Sequence, residues 1–194
     1  MSRVIEVSAV RTRLSLQDDE GINDAISSAL DGALARLSSV LATSFDREEH
    51  TDVFYLDSAA CTPVAGLVGL RLSNGFVQGP ITVVSGDSLA DVLQGGSPET
   101  VFLLNAEKGH VKVPDALTGK YVRVSYESGF SDGDEAPAWL KEVVLAHTIM
   151  VMSSQQISDG QAELSKVVPV VEKHSTDTLD RHLRNGSLLV YPLN

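Results

Sequence analysis

Tyr121-Val122-Arg123-Val124-Ser125-Tyr126-Glu127-Ser128-Gly129-Phe130 alternates along its length, and Ala136-Pro137-Ala138-Trp139-Leu140-Lys141-Glu142-Val143-Val144-Leu145-Ala146-His147 does not. In the first stretch Val122, Val124 and Tyr126 fall on one side and Tyr121, Arg123, Ser125 and Glu127 on the other. That is the pattern of a strand with one face buried and one wet. In the second, Trp139, Leu140, Val143, Val144, His147, Met150 and Val151 recur at helical steps and wrap a wide apolar face around a helix. Ser131-Asp132-Gly133-Asp134-Glu135 separates the two, and Pro137 suits a first helical turn, where its missing N–H would be unpaired anyway. Strands and helices kept in separate blocks predict an α+β fold.

Upstream, the residues 53–56, 66–72, 81–85, 100–104 and 110–113 are short runs rich in β-branched and aromatic side chains. Asn74-Gly75, Gly79-Pro80, Gly95-Gly96-Ser97-Pro98 and Thr118-Gly119 punctuate them, as turns punctuate strands. The run Gly95 to Pro98 predicts the tip of a mobile loop. Earlier still, Ile22, Ile26, Ala29, Leu30, Ala33, Leu34, Leu37, Val40, Leu41 and Phe45 form one helical stripe, with Asp18 or Asp19 available as its cap. Gly32 inside that stripe predicts a close neighbour. A short helix near 8–14 precedes it. Downstream, Leu179, His182 and Leu183 share one side of a last short helix that Asn185-Gly186 ends.

The expectation is therefore a small helical bundle with a long helix at about 20–45, a second at about 136–154 and a short one at about 176–184. It carries a β-rich insertion at about 51–128 and an extended C-terminal tail. No repeat, low-complexity run or long linker interrupts the chain, so 1–194 reads as a single domain: helical core 1–48 and 132–186, insertion 50–130, arm 187–194.

Composition bounds the class. At 43% hydrophobic and 21% charged the chain is ordinary for a globular protein, and its length is enough for a core without staples. Cys61 is the only cysteine, so no intrachain disulfide is possible and a reducing compartment is expected. No leader is expected in 1–13, and the most apolar stretch, 143–152, contains His147 and is too short to span a bilayer. No membrane partner is expected. The net charge of −11 makes the chain a poor general binder of nucleic acid, because Lys and Arg on phosphates supply most of that affinity. An acidic surface near DNA keeps the polymer from sticking.

Motifs for chemistry are weak throughout. The five histidines stand in no HExxH or Cys/His ligand spacing, so no metal is expected. His147 reads as a hydrogen-bonded core histidine, His50 as part of a solvated loop, and His174 and His182 as surface or interface residues. Gly-x-Ser-x-Gly is absent, and Ser85-Gly86-Asp87-Ser88 has the composition of any turn. Cys61 reads as a buried or incidental thiol. Neither phosphate-loop pattern occurs, so no cofactor is expected. Asp132-Gly133-Asp134-Glu135 lacks the ligand alternation of a calcium loop, and Asp46-Arg47-Glu48-Glu49 is a solvated charge run. No catalytic residues are assigned, and the chain reads as a non-enzyme.

Two groups of residues stand out instead. Trp139, Leu140, Val143 and His147 are the expected packing face of the second long helix. The tail Leu188, Leu189, Val190, Tyr191, Pro192, Leu193 and Asn194 is too apolar for a free terminus and should dock on its own domain or on a partner, by strand addition or in a groove.

A first helix of the type Asp18-Asp19-Glu20…Ile22-Asn23-Asp24-Ala25-Ile26…Ala35-Arg36-Leu37, followed by the strand, Gly129-Phe130, the short acidic loop and Ala136 to His147, resembles the head–tail connector (adaptor, or head-completion) proteins of tailed bacteriophages. The resemblance covers 18–45 and 121–152. The long insertion and developed C-terminal extension depart from the compact members of that family. The resemblance implies a structural virion protein of the neck, assembled in the host cytoplasm as a ring of about twelve copies beneath the portal. It would extend the DNA channel, with DNA only as a non-specific passenger, and present a platform to the next neck, stopper or tail protein. The arm 187–194 would grip the portal or a neighbouring subunit. The alternatives from the residues alone are a small protein- or glycan-binding module that uses the insertion and, last, a hydrolase using Ser85 or Ser88.

Overall fold

The structure, a computed structural model, describes residues 4–59, 61–154, 173, 176–179 and 192–193. The fold is α+β, with helices α1 (Val7–Arg13), α2 (Glu20–Leu41), α3 (Leu89–Gln94) and α4 (Ala138–Ser154). The strands are β1 (Glu48–Tyr55), β2 (Leu67–Arg71), β3 (Val77–Gly86), β4 (Ser97–Glu99), β5 (Phe102–Asn105), β6 (His110–Pro114) and β7 (Tyr121–Ser128). The chain divides into two compact units, Met1–Leu41 with Phe130–Arg184, and Ala42–Gly129 with Asn185–Asn194.

In the helical unit α2 buries Ile26, Ala29, Leu30, Ala33, Leu34 and Leu37 and packs on α4. Asp19 Oδ1 accepts from the N–H groups of Gly21 and Ile22 at 2.9 and 3.2 Å, which satisfies donors that the first helical turn leaves open. The Arg11 guanidinium pairs with Asp18 and ties the end of α1 to this cap. The helix stops at Leu41 rather than near 45, because Ala42 turns to a left-handed φ of 49°. Phe45 leaves the stripe altogether and sits against Phe76, ring centroids 6.0 Å apart. Among the described residues nothing stands within 4 Å of where a Gly32 Cβ would lie, so none of them is the predicted close neighbour. In α4 Leu140, Val143, Val144, Ala146, His147, Thr148, Ile149 and Met152 are buried, a spread too broad for one stripe. Residues 173 and 176–179 are helical; the rest of the predicted final helix, with His174 and His182, lies outside the described residues.

The second unit holds two antiparallel sheets, ordered β1-β7-β3-β4 and β2-β6-β5. Phe54, Val83, Val122, Val124 and Tyr126 of the first, with Leu56 just past β1, join Val68, Leu70, Val111 and Val113 of the second in one apolar core. The expected alternation in β7 is realised, with Val122, Val124, Tyr126 and Ser128 buried and the residues between them half-buried. Ser97-Pro98-Glu99 is a short edge strand paired with β3, not a mobile loop tip. Gly96 explains the difference: at a φ of 59° it lies so close to the Ser85 carbonyl that the turn is pinned to the sheet. Pro98 fits the outer position because an edge strand can lack a donor.

No helix of the described residues is long and apolar enough to cross a membrane.

Candidate assembly surfaces

Each sheet has two outer strands, β1 and β4 in one and β2 and β5 in the other, and two of these four edges carry features of an assembly surface. β1 is an outer strand of the four-stranded sheet, with β7 on its inner side in unbroken register from Glu48↔Ser128 to Tyr55↔Tyr121. On its other side the Leu193 N–H donates to the Val53 carbonyl at 2.7 Å. Pro192 is half-buried there and the Leu193 side chain is exposed. Leu188, Leu189, Val190, Tyr191 and Asn194 lie outside the described residues.

The second open edge is β5. Phe102, Leu103 and Leu104 run along it consecutively and are each about half exposed, and Leu89 and Leu93 of α3 are exposed as well. Three successive large apolar side chains on an edge strand make a surface that invites a partner. Residue types and spacing showed this run as a strand, but not that it would lie at an edge.

Between the strands lies a buried polar cluster that sequence reading missed. Asp52, only 7% exposed, points inward from β1 between Phe54 and its neighbours. Its Oδ2 accepts from the Ser73 N–H at 2.7 Å and from the Tyr126 hydroxyl at 2.9 Å, while Oδ1 accepts from the Ser73 hydroxyl at 2.6 Å. The Asn74 N–H donates to the Tyr126 oxygen at 3.1 Å, and the Asn74 side-chain Oδ1 accepts from the Ser44 N–H at 3.0 Å. Burial first, and then the Asp52 charge, push the Tyr126 phenol well above its ordinary value, so it remains a donor. The cluster joins β1 and β7 to the loop after β2 and reads as a structural clamp. Parity along β1 was the available signal: Asp52 shares the inward side with Phe54 and Leu56.

The residues singled out for chemistry are placed as follows. His50 is in β1, not in a solvated loop; its ring lies 5.5 Å from that of Tyr126 and its Nδ1 is 3.3 Å from the Asn74 amide. His147 Nδ1 faces the Val143 carbonyl at 3.1 Å inside α4, where Leu140 and Val143 are fully buried and Trp139 is half-buried. Ser85 is buried and donates to Glu99 at 2.6 Å. Ser88 caps α3 in a reciprocal box with Asp91. Burial, then Asp57, raises the Cys61 thiol above its ordinary value, so it is a poor nucleophile. Glu135 accepts from the Ser131 N–H at 2.7 Å, which closes the acidic loop before α4. Among the described residues no group of His, Cys, Asp and Glu is arranged to hold a metal.

His110 in β6 has its pKa lowered by burial, with Arg71 and Lys108 nearby adding to the effect. The unfolded chain then takes up a proton before the folded one does, so stability is full above the ordinary value of 6.5 and falls as pH drops below it. The unfolding midpoint should decline from pH 7 toward pH 5, and His110→Gln should flatten that decline in a thermal melt series.

Neither a protein-family model nor a curated protein matches the sequence. Among solved structures, the chain is similar to one from the neck of an empty gene transfer agent particle computed with C6 symmetry, at 16% identity and a TM-score of 0.49 over 81% of each chain. It is similar to one from the virion of the native gene transfer agent particle, at 14% identity, a TM-score of 0.49 and the same coverage. A third, from the neck of the native particle computed with C12 symmetry, is 16% identical with a TM-score of 0.47, over 87% of this chain and 86% of that one.

Proposed function

We propose that this chain is a structural, non-enzymatic head–tail connector of the virion neck. About twelve copies close into a ring beneath the portal, prolong the DNA channel and offer a platform to the next neck, stopper or tail protein. The observation that carries the reading is a pair of unlike edges on one unit, β1 with Leu193 bonded to it and β5 with the exposed Phe102, Leu103 and Leu104. A closed ring needs a heterologous interface, in which two different surfaces of one subunit meet those of its neighbours. The resemblance of Asp18 to Phe45 and Tyr121 to Met152 to connector proteins supports the same reading. The net charge of −11 suits a channel through which DNA slides without adhering.

The arm, Ser187 to Asn194, is the segment that holds the portal or the next subunit. Deleting it should abolish attachment to portal particles in a sedimentation assay while leaving a folded chain. The arm's described contact is a single backbone hydrogen bond, worth about 1 kcal/mol. Normal attachment of the truncated chain would remove the arm from the proposal. A second reading, a module that binds a protein through the β unit, is favoured by the exposed apolar β5 edge. It requires a chain that stays monomeric in the presence of portal.

A further inference from the structure

The β5 edge lacks the residues that usually keep an outer strand from pairing. Natural edges carry charges, prolines or bulges that discourage a further strand. β4, an outer strand of the other sheet, has Pro98 and Glu99. β5 has Phe102, Leu103 and Leu104, each about half exposed, and ends on Asn105. A register shift between Leu103 and Asn105 falls near that end and leaves Phe102 and Leu103 in regular pairing with Lys112 and Val111.

The sheet behind this edge is cationic. β2, β5 and β6 together carry Arg71, His110 and Lys112 and no acidic residue, in a chain whose net charge is −11. Val68, Leu70, Val111 and Val113 fill the core side of the sheet, so the alternate residues Arg71, His110 and Lys112 share the opposite face. Phe102, paired with Lys112, stands on that face too. Lys108, in the turn between β5 and β6, acts with Arg71 to hold the His110 pKa down, so their positive charges converge on one place. Glu107 is the acidic residue of that turn. Lys112 takes part in no ion pair among the described residues.

From this we propose that β5 is the docking edge for an extended acidic segment of a partner protein. The segment adds a fourth strand, with apolar side chains beside Leu103 and acidic ones beside Phe102, toward Lys112. The inference deepens the connector reading, on which it rests for its setting, since that reading uses β5 as an assembly edge. A strand added there lies two strand spacings from β6, roughly 10 Å, and this is about one Debye length, so its carboxylates still feel Lys112. Like charge decides against self-pairing, because two copies joined β5 to β5 would set their cationic faces side by side. Number decides against DNA: Arg71, Lys108 and Lys112, with Glu107 among them, offer few phosphate contacts, and salt weakens such binding steeply.

The test measures the fluorescence anisotropy of two dye-labelled, blocked peptides, alternating Glu-Val and alternating Lys-Val, titrated with the full chain. The Glu-Val peptide should bind about tenfold tighter than its counterpart, and Lys112→Glu should remove that preference. Lys112→Gln, a milder change at a half-buried position, should give an intermediate loss with unchanged circular dichroism. Leu103→Lys adds a positive charge at the edge, yet should weaken Glu-Val binding because the apolar contact is lost. Equal binding of the two peptides, binding of neither, or tighter binding of a DNA duplex would overturn the proposal. So would tighter Glu-Val binding by Leu103→Lys, or self-association in sedimentation that Leu103→Lys abolishes. A ring on the portal from a chain that ignores both peptides removes this edge chemistry and leaves the connector reading standing. A bare portal with the expected peptide preference does the reverse.

Discussion

Replacing Asp52 by alanine should cost the β unit about 3–5 kcal/mol, because three buried donors lose their shared acceptor at once. The Ser73 N–H, the Ser73 hydroxyl and the Tyr126 hydroxyl all converge on this carboxylate within 2.9 Å. Truncation leaves a cavity where little water can reach them, and unmet donors of this kind are the costly case for a lost hydrogen bond. Since about 1 kcal/mol shifts the melting point of a unit this size by several degrees, the midpoint should fall by at least about 10 °C. Asp52→Asn keeps the shape but turns a donor toward other donors, so an intermediate loss is expected. Thr51→Ala, one residue away on the exposed side, should stay within about 0.5 kcal/mol. Thermal melts of the three variants, followed by circular dichroism, separate a buried clamp from a general sensitivity of β1.

Gly129→Ala is the second large effect. Gly129 has a φ of 88°, a conformation that costs a residue with a Cβ about 1–2 kcal/mol. The added Cβ would also collide with the backbone carbonyl of Asp46 and crowd the Arg47 nitrogen. That backbone cannot step aside freely: the Arg47 guanidinium holds Glu127 at 2.7 Å, and β1 begins at Glu48 opposite Ser128. A total loss of about 3–5 kcal/mol is expected, with overpacking supplying the larger part. Gly119→Ala supplies the control, since Gly119 has a φ of 86° but nothing near its missing Cβ. It should lose only the conformational cost. Equal losses at the two glycines, measured by denaturant unfolding, would show that the close approach to Asp46 has no weight.

These two positions mark the limit of what was legible in the sequence. The alternation of Val122, Val124 and Tyr126 and the spacing of Ile26 to Leu37 each report a single element's inward face, and both faces are buried where the pattern put them. Local turn chemistry was legible too, as at Asp19 before α2. Pairings between distant segments were not. That Gly129 needs to be glycine depends on Asp46, and that Asp52 is tolerable in an apolar strand depends on Ser73 and Tyr126. The same gap explains Phe45. Its spacing extended the α2 stripe, yet a reversed φ at Ala42 and a partner at Phe76 take it elsewhere. Gly95 to Pro98 read as a loop because its residues favour turns, whereas β3 was free to accept an edge strand. For the assembly surfaces, the apolar character of the tail was plain in the sequence, but the bond from Leu193 to β1 was not, because which strand lies at an edge is a property of the whole sheet.

The proposed ring on a portal is tested most directly by negative-stain electron microscopy of the intact chain mixed with portal particles. Added ring density, of about twelve subunits, is expected at one end of the portal. A chain that remains monomeric and leaves the portal bare at saturating concentration would contradict it.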